Sequence, residues 1–150
     1  GLGKAITLAV EQLEENAKKI KALRDRFVKR VESEIPEVRY NGSRDKRLCS
    51  NASFSFRYIE GESILYSLDL EGIAASSGSA CSSGSLEPSR TLLAIGVPVG
   101  LAHGTIRFSF GKDNTEADVD YTVDKLKEIV ARLRNMSPLF KAVKEDAKNV

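Results

Sequence analysis

The longest uninterrupted pattern in the sequence is a helical repeat of apolar residues between residues 4 and 34. The repeating positions are Ile6, Val10, Leu13, Ala17, Ile20, Leu23, Phe27 and Val31. Spacings of three and four place these side chains on one face of an α-helix, and Pro36 ends the pattern. We therefore predict one long N-terminal helix. It is longer than a small domain needs for its own core, which indicates that one end packs on a neighbouring domain.

Two later segments, residues 52–58 and 104–110, alternate between apolar and polar residues as half-buried β-strands do. Their apolar members are Phe54, Phe56 and Tyr58 in the first segment and Ile106, Phe108 and Phe110 in the second. Residues 37–40 and 73–75 are shorter strand candidates. Because Arg107 lies between two apolar residues, the alternation predicts that its side chain points away from the apolar face.

Further helices are predicted between and after these strands. They cover residues 62–70, a segment after Pro88 with Leu92, Leu93 and Ile95 inward, residues from Val119 to about Met136, and residues 139–148. Thr115, with Asp118 three residues on, is typical of a helix N-cap. We predict one α/β domain, more closely an α+β domain, in which a mostly antiparallel sheet of three to four strands is flanked by helices.

Charge and hydropathy argue against several classes of function. The 23 basic and 21 acidic residues are interspersed and leave a net charge of +2, so we predict no nucleic-acid or membrane partner. No apolar run is long enough for a membrane span, and we find no secretory signal. We therefore predict a cytoplasmic protein in which Cys49 and Cys81 are free thiols, the alternative being one disulfide in an oxidising compartment.

Cys81 lies in an unusual setting for a cysteine. Residues 76–85 hold six serines, two glycines and no apolar residue larger than alanine, a composition typical of a flexible loop. Hydroxyls and backbone amides favour the thiolate, which is the reactive form of cysteine. The residues alone leave two interpretations open, a functional thiol on a tether or an incidental exposed cysteine. Cys49, which precedes a predicted strand, is interpreted as a small core or edge cysteine.

Several stretches of the sequence together form a specific set of motifs. They are SSGSACSSGSLEPS at residues 76–89, AHGTIRFSFG at residues 102–111, Asn114-Thr115-Glu116 with Asp118, Asp120 and Tyr121, Lys46-Arg47-Leu48 with Asn51, and Gly61-Glu62-Ser63. The set resembles the cysteine desulfurases of the NifS/IscS type, which are class-V aminotransferase-like enzymes of fold type I, and the resemblance covers essentially the whole chain.

The resemblance implies an enzyme that depends on pyridoxal 5'-phosphate and takes sulfur from L-cysteine, leaving L-alanine. By motif position, Cys81 is the nucleophile that carries the persulfide, and Arg107 binds the substrate carboxylate. The sulfur then passes to an iron–sulfur scaffold or to a tRNA-thiolation partner, and the full-length protein is a homodimer. His103, the single histidine, is expected to have a structural or local hydrogen-bonding role.

The resemblance also implies that a large part of the enzyme lies outside residues 1–150. The chain begins directly with a helical pattern and without Met, as the interior of a protein does. No lysine here stands in the setting of the family's Schiff-base lysine, so we expect a C-terminal small domain without cofactor-binding or metal-binding residues, inactive alone. Two alternatives stay open: a selenocysteine lyase-like relative, and a non-catalytic sulfur-carrier or interaction module.

Overall fold

The computed structural model describes residues 1–77 and 88–146. In chain order the elements are α1 (Leu2–Glu11), α2 (Leu13–Glu34), β1 (Val38–Tyr40), β2 (Asn51–Phe56), α3 (Gly61–Leu70), α4 (Arg90–Ala94), α5 (Val99–Ala102), β3 (Thr105–Ser109), α6 (Glu116–Met136) and α7 (Pro138–Asp146). None of the helices in the described ranges is long and apolar enough to cross a membrane.

The sheet is antiparallel, with strand order β1-β2-β3. Val38 pairs with Phe56 on one side of the central strand, and Phe54 pairs with Ile106 on the other. The predicted fold class, an α+β domain with a mostly antiparallel sheet, is confirmed, and the alternating segments form β2 and β3. Tyr58 was predicted to share the apolar face of β2. It instead lies beyond the end of that strand with a φ of 71°.

The strand predicted at residues 73–75 is wrong, because the chain there leaves the turn that ends α3 and forms no strand. Gly72 has a φ of 73°, and its N–H donates to the carbonyl of Asp69. The N–H of Ile73 donates back to the carbonyl of Leu68 at 2.9 Å, which completes a helix-ending turn. Among residues 73–77, only Ser76 then reaches the sheet, through an isolated antiparallel bridge to β3.

The single N-terminal helix predicted over residues 4–34 is wrong in one respect, because it is broken at Gln12 into α1 and α2. The second half of α2 lies on the sheet and buries Leu23, Phe27 and Val31, whereas α1 buries no residue. The apolar pattern therefore runs on beyond the core of the domain, as the length of the predicted helix indicated. The large apolar side chains that are exposed between residues 1 and 13 are Leu2, Ile6, Leu8, Val10 and Leu13.

The main core lies between the sheet and a layer formed by α2, α3 and α6. Phe27 stands at its centre, with ring centroids 4.7 Å from Phe108 and 6.1 Å from Phe54. At the surface above it, an ion network joins α2 to α6: Arg26 donates to Asp120 at 2.7 Å and Arg30 to Asp124 at 2.6 Å. The predicted cap of α6 is confirmed as a reciprocal capping box of Thr115 and Asp118.

A small second cluster, which we call the satellite cluster, covers part of the opposite side of the sheet. It consists of Leu92, Val97 and Ala102 from α4, α5 and the turn between them. Leu93 and Ile95, which were predicted to face inward, are 39% and 45% exposed. The prediction was wrong because α4 has only five residues, and one side chain, Leu92, fills the space that so short a helix can cover.

Candidate active site

Arg107 lies in the middle of β3, on the side of the sheet opposite the main core. Its neighbours Ile106 and Phe108 are 0% and 5% exposed, whereas Arg107 itself is exposed. The alternation of the strand thus presents the guanidinium group to the outside, as the sequence predicted. Among the side chains that the structure describes, those of residues 1–77 and 88–143, no carboxylate lies within ion-pair distance of Arg107.

Ser76 is the partner of Arg107 on the outer edge of β3. The N–H of Arg107 donates to the carbonyl of Ser76 at 2.6 Å, and the N–H of Ser76 donates to the carbonyl of Arg107 at 3.1 Å. The Nη2 atom of Arg107 also donates to Oγ of Ser76 over a long 3.5 Å. A guanidinium group has five N–H donors in a planar fork, so most of the Arg107 donors have no protein acceptor among the described residues.

Small hydroxyl side chains lie beside Arg107 on its face of the sheet. Ser53 is its register partner on β2, and the next pair on the same face, Ser55 and Thr105, joins hydroxyl to hydroxyl at 2.7 Å. Asn41 donates to Ser55 Oγ at 2.9 Å. Ser55 and Thr105 are buried, so their hydroxyls bond within the protein rather than to solvent. These hydroxyl side chains are too short to cover Arg107, which remains exposed.

Cys81, the predicted nucleophile, lies outside the described residues, as does most of the predicted loop 76–89. The structure does place the residue at which this segment begins, because Ser76 is bridged to Arg107. This pairing was not predicted from the sequence. The strand candidate at residues 73–75 indicated extended backbone close by, but at the wrong residues and without a pairing partner.

His103 lies directly before β3 and is exposed. Its carbonyl accepts a hydrogen bond from the N–H of Gly61 at 2.9 Å, which fixes the start of α3 against the start of β3. Gly61 suits this approach, because a Cβ there would meet that carbonyl oxygen at 2.9 Å. The local hydrogen-bonding role expected of His103 thus belongs to its backbone.

Cys49 is a half-buried free thiol in the turn before β2. It lines a small surface pocket with Lys21, Arg24 and Arg47, away from the core. Burial lowers the pKa of Arg47, whose guanidinium carbon lies 4.2 Å from the centre of the Tyr40 ring. The expectation of an edge position describes Cys49 better than that of a core position.

The described residues do not fit a pyridoxal-phosphate site. Such a site needs a lysine that reaches the cofactor, and the lysines up to Lys141 are exposed with one exception. That exception is Lys125, which is half-buried and pairs with Glu71 at 3.3 Å and with Glu128 at 3.4 Å. The hydrogen bonds that it donates to these two carboxylates raise its pKa, so it is held as a cation rather than as a nucleophilic amine.

Comparison with known families gives one match over most of the chain. The family model described as "Aminotransferase class-V" matches residues 1–122. Two curated relatives carry the name "Cysteine desulfurase IscS". The protein from Dictyoglomus turgidum is 52% identical over 138 residues, which are 92% of this chain and 35% of the relative. The protein from Clostridium botulinum is 50% identical over 142 residues, which are 93% of this chain and 36% of the relative.

Solved structures agree with these relatives. The X-ray structure of a NifS-like protein from Rickettsia africae matches with a TM-score of 0.74 at 27% identity, over 85% of this chain and 32% of that one. A second structure named "NIFS-LIKE PROTEIN" matches with a TM-score of 0.74 at 32% identity, over 87% of this chain and 32% of its own. The chain thus spans about a third of the length of the proteins that it matches.

Proposed function

This chain belongs to the class-V aminotransferase family, and we propose that it is the cysteine-bearing small domain of a NifS/IscS-type cysteine desulfurase. The observation that carries the proposal is the position of Arg107, exposed on β3 and bridged to the residue where the segment bearing Cys81 begins. A desulfurase needs a carboxylate anchor and a sulfur-accepting thiol from this part of the chain. The bridge supports these roles, because it ties Arg107 to a residue five positions before Cys81 in the sequence. The curated relatives are named cysteine desulfurases, and they favour neither a selenocysteine lyase nor a separate sulfur carrier.

Arg107 is proposed to bind the carboxylate of L-cysteine. A guanidinium group and a carboxylate form two parallel, charge-assisted hydrogen bonds. The described residues offer Arg107 no acidic partner and one long contact to Ser76, so the substrate carboxylate displaces no anion among them. The same pair of bonds fixes the orientation of the amino acid relative to the protein.

Cys81 is proposed to receive the sulfur. In the overall reaction, L-cysteine and the Cys81 thiol give L-alanine and a persulfide on Cys81. The C–S bond of the substrate is replaced by a C–H bond, and an S–S bond replaces the S–H bond of Cys81. The substrate carbon is reduced, and the two sulfur atoms are oxidised to the persulfide level. The outer sulfur then passes to an acceptor, for which we propose an iron–sulfur scaffold or a tRNA-thiolation protein.

The remainder of the enzyme is proposed to hold pyridoxal 5'-phosphate and to pack on α1. Leu2, Ile6, Val10 and Leu13 recur along one side of the N-terminal part and are 54–77% exposed. A helix of ten residues is marginal in water on its own, so this stripe supports a neighbour in the complete protein. We further propose that the complete enzyme is a cytoplasmic homodimer and that residues 1–150 alone do not turn over cysteine.

Intact mass spectrometry of the full-length enzyme after incubation with L-cysteine tests the proposal. We expect the mass of one additional sulfur atom, mapped by peptide analysis to Cys81 and absent from a Cys81→Ala variant. Cys49→Ala is the matched control, since it removes the other thiol. It should release alanine, and sulfide when a thiol reductant such as dithiothreitol is added, at an unchanged rate. Sulfur on Cys49 together with a normal rate in Cys81→Ala would refute the assignment.

A further inference from the structure

Ser76 offers an inference that rests on the proposed function and goes one residue beyond it. We propose that Ser76 is a positioning residue, which holds the side chain of Arg107 ready for the substrate carboxylate and thereby sets the affinity for L-cysteine. Ser76 does not contact the substrate in this proposal. Its effect reaches the substrate through Arg107.

The backbone of Ser76 fixes where Arg107 can lie. The two residues exchange both N–H···O hydrogen bonds, at 2.6 and 3.1 Å, so they form a close antiparallel pair. It is an isolated bridge, and within the described ranges no other residue outside the named strands pairs with β3 on this edge. Ser53 of β2 pairs with Arg107 on one side of the strand, and among the described residues Ser76 alone pairs with it on the other.

The hydroxyl group of Ser76 restrains the guanidinium group without competing for it. At 3.5 Å the bond from Arg107 Nη2 to Ser76 Oγ is at the long limit of a hydrogen bond. A free arginine side chain loses much rotamer entropy when a ligand fixes it, and a weak restraint already present lowers that loss on binding. A guanidinium group has five N–H donors, so a carboxylate can bind the other donors while the contact to the hydroxyl stays in place.

Ser53 provides a matched control on the other side of Arg107. It is the register partner of Arg107 on β2 and has the same side chain, but its hydroxyl accepts a hydrogen bond from Asn41 at 3.3 Å. Replacing Ser53 by Ala removes a hydroxyl from the same face of the sheet and leaves the bond between Ser76 and Arg107 in place.

Steady-state kinetics of the full-length enzyme with L-cysteine tests the proposal. Ser76→Ala keeps the backbone pair and loses only the hydroxyl, so we expect KM to rise roughly threefold to tenfold while kcat changes by less than about twofold. Ser76→Thr, which keeps a hydroxyl, should restore the low KM. Ser53→Ala should leave KM unchanged. A Ser76→Ala enzyme with unchanged KM, or with kcat lowered as much as kcat/KM, overturns the inference.

A double-mutant cycle separates positioning from a general structural effect. If Ser76 acts through Arg107, Ser76→Ala has no further effect on KM once Arg107 is replaced by Ala. Additive effects of the two changes overturn the inference. An enzyme in which Arg107→Ala raises KM but Ser76→Ala does not keeps the proposed function and loses this inference alone. An enzyme that forms no alanine from cysteine overturns both.

Discussion

Arg134 is a buried cation whose hydrogen bonds hold two loops together. It lies near the end of α6 and is 3% exposed. Its guanidinium group donates to the carbonyls of Arg57 at 3.2 Å, Pro36 at 2.7 Å and Glu37 at 2.9 Å. Burial lowers the pKa of Arg134. The group remains charged, since an arginine in a protein is not deprotonated near neutral pH. The prediction concerns Arg134→Met, which keeps the length of the side chain and removes every donor.

The expected loss follows from the three bonds. A hydrogen bond to a charged group stabilises a fold by about 1.5–3 kcal/mol, and removing the guanidinium group leaves three carbonyls without this donor. Part of this lost stability is regained in Arg134→Met, because the variant no longer has the desolvation penalty of a buried charge. We therefore expect the free energy of unfolding to fall by about 3 kcal/mol. For a domain of this size that corresponds to a Tm lower by roughly 6–12 °C.

Urea unfolding followed by far-UV circular dichroism measures the effect, because the chain contains no tryptophan. At an m-value of about 2 kcal/mol/M, the midpoint should fall by about 1.5 M. Arg132→Met is the matched control: it is the same substitution two residues earlier on α6, where the side chain is exposed and donates once, to Ser67. Equal midpoints for the two variants would refute the account of Arg134.

Three further outcomes can be measured in the same way. The hydrogen bond from Arg26 lowers the pKa of Asp120 below its ordinary 3.8. The stability that this ion pair adds to the fold is therefore present above pH 3.8 and lost as the pH falls below it. Asp120→Asn should make stability less dependent on pH in this range, and an unchanged pH profile would contradict the role of the pair. Glu37 has a φ of 54°, so Glu37→Gly should raise the free energy of unfolding by about 0.5–1 kcal/mol. A lower urea midpoint for this variant would refute backbone strain at Glu37. Gly104→Ala should lower the free energy of unfolding by about 1–3 kcal/mol, because the new Cβ would clash with two backbone carbonyl oxygens. Gly100→Ala is the control, since a Cβ there would meet nothing within 4 Å. Similar losses of stability in both variants would disprove the clash.

The sequence predicted those elements whose apolar side chains all meet one core. Phe54, Ile106 and Val123 are each 0% exposed, because the periodicity of β2, β3 and α6 selects the face that contacts the others. The same patterns placed Ser55 and Thr105 on an outward face, yet they are 0% and 3% exposed. A pattern along one strand does not reveal that α5 covers that face, where the carbonyl of Leu101 accepts a hydrogen bond from Thr105.

For the candidate site, the sequence predicted which way Arg107 points but not its contacts. The alternation of apolar and polar residues in β3 was enough to place the Arg107 side chain on the face away from the core. Its bridge to Ser76 depends on how α3 ends at Gly72 and on where the chain then meets β3, and both are tertiary facts. Buried charges are hidden from pattern analysis for a related reason. Arg24 and Arg134 are 4% and 3% exposed, and each donates to backbone carbonyls that a sequence does not bring together.

The satellite cluster has a consequence for how the domain opens. Leu92, Val97 and Ala102 bury their side chains apart from the main core. Small separate clusters of this kind open at a lower free energy than the sheet beneath them. The stretch from α4 to α5, which follows the segment bearing Cys81, can therefore lift from the domain and close again while β2 and β3 stay paired. Amide hydrogens in this stretch should then exchange with solvent long before those of the central strand.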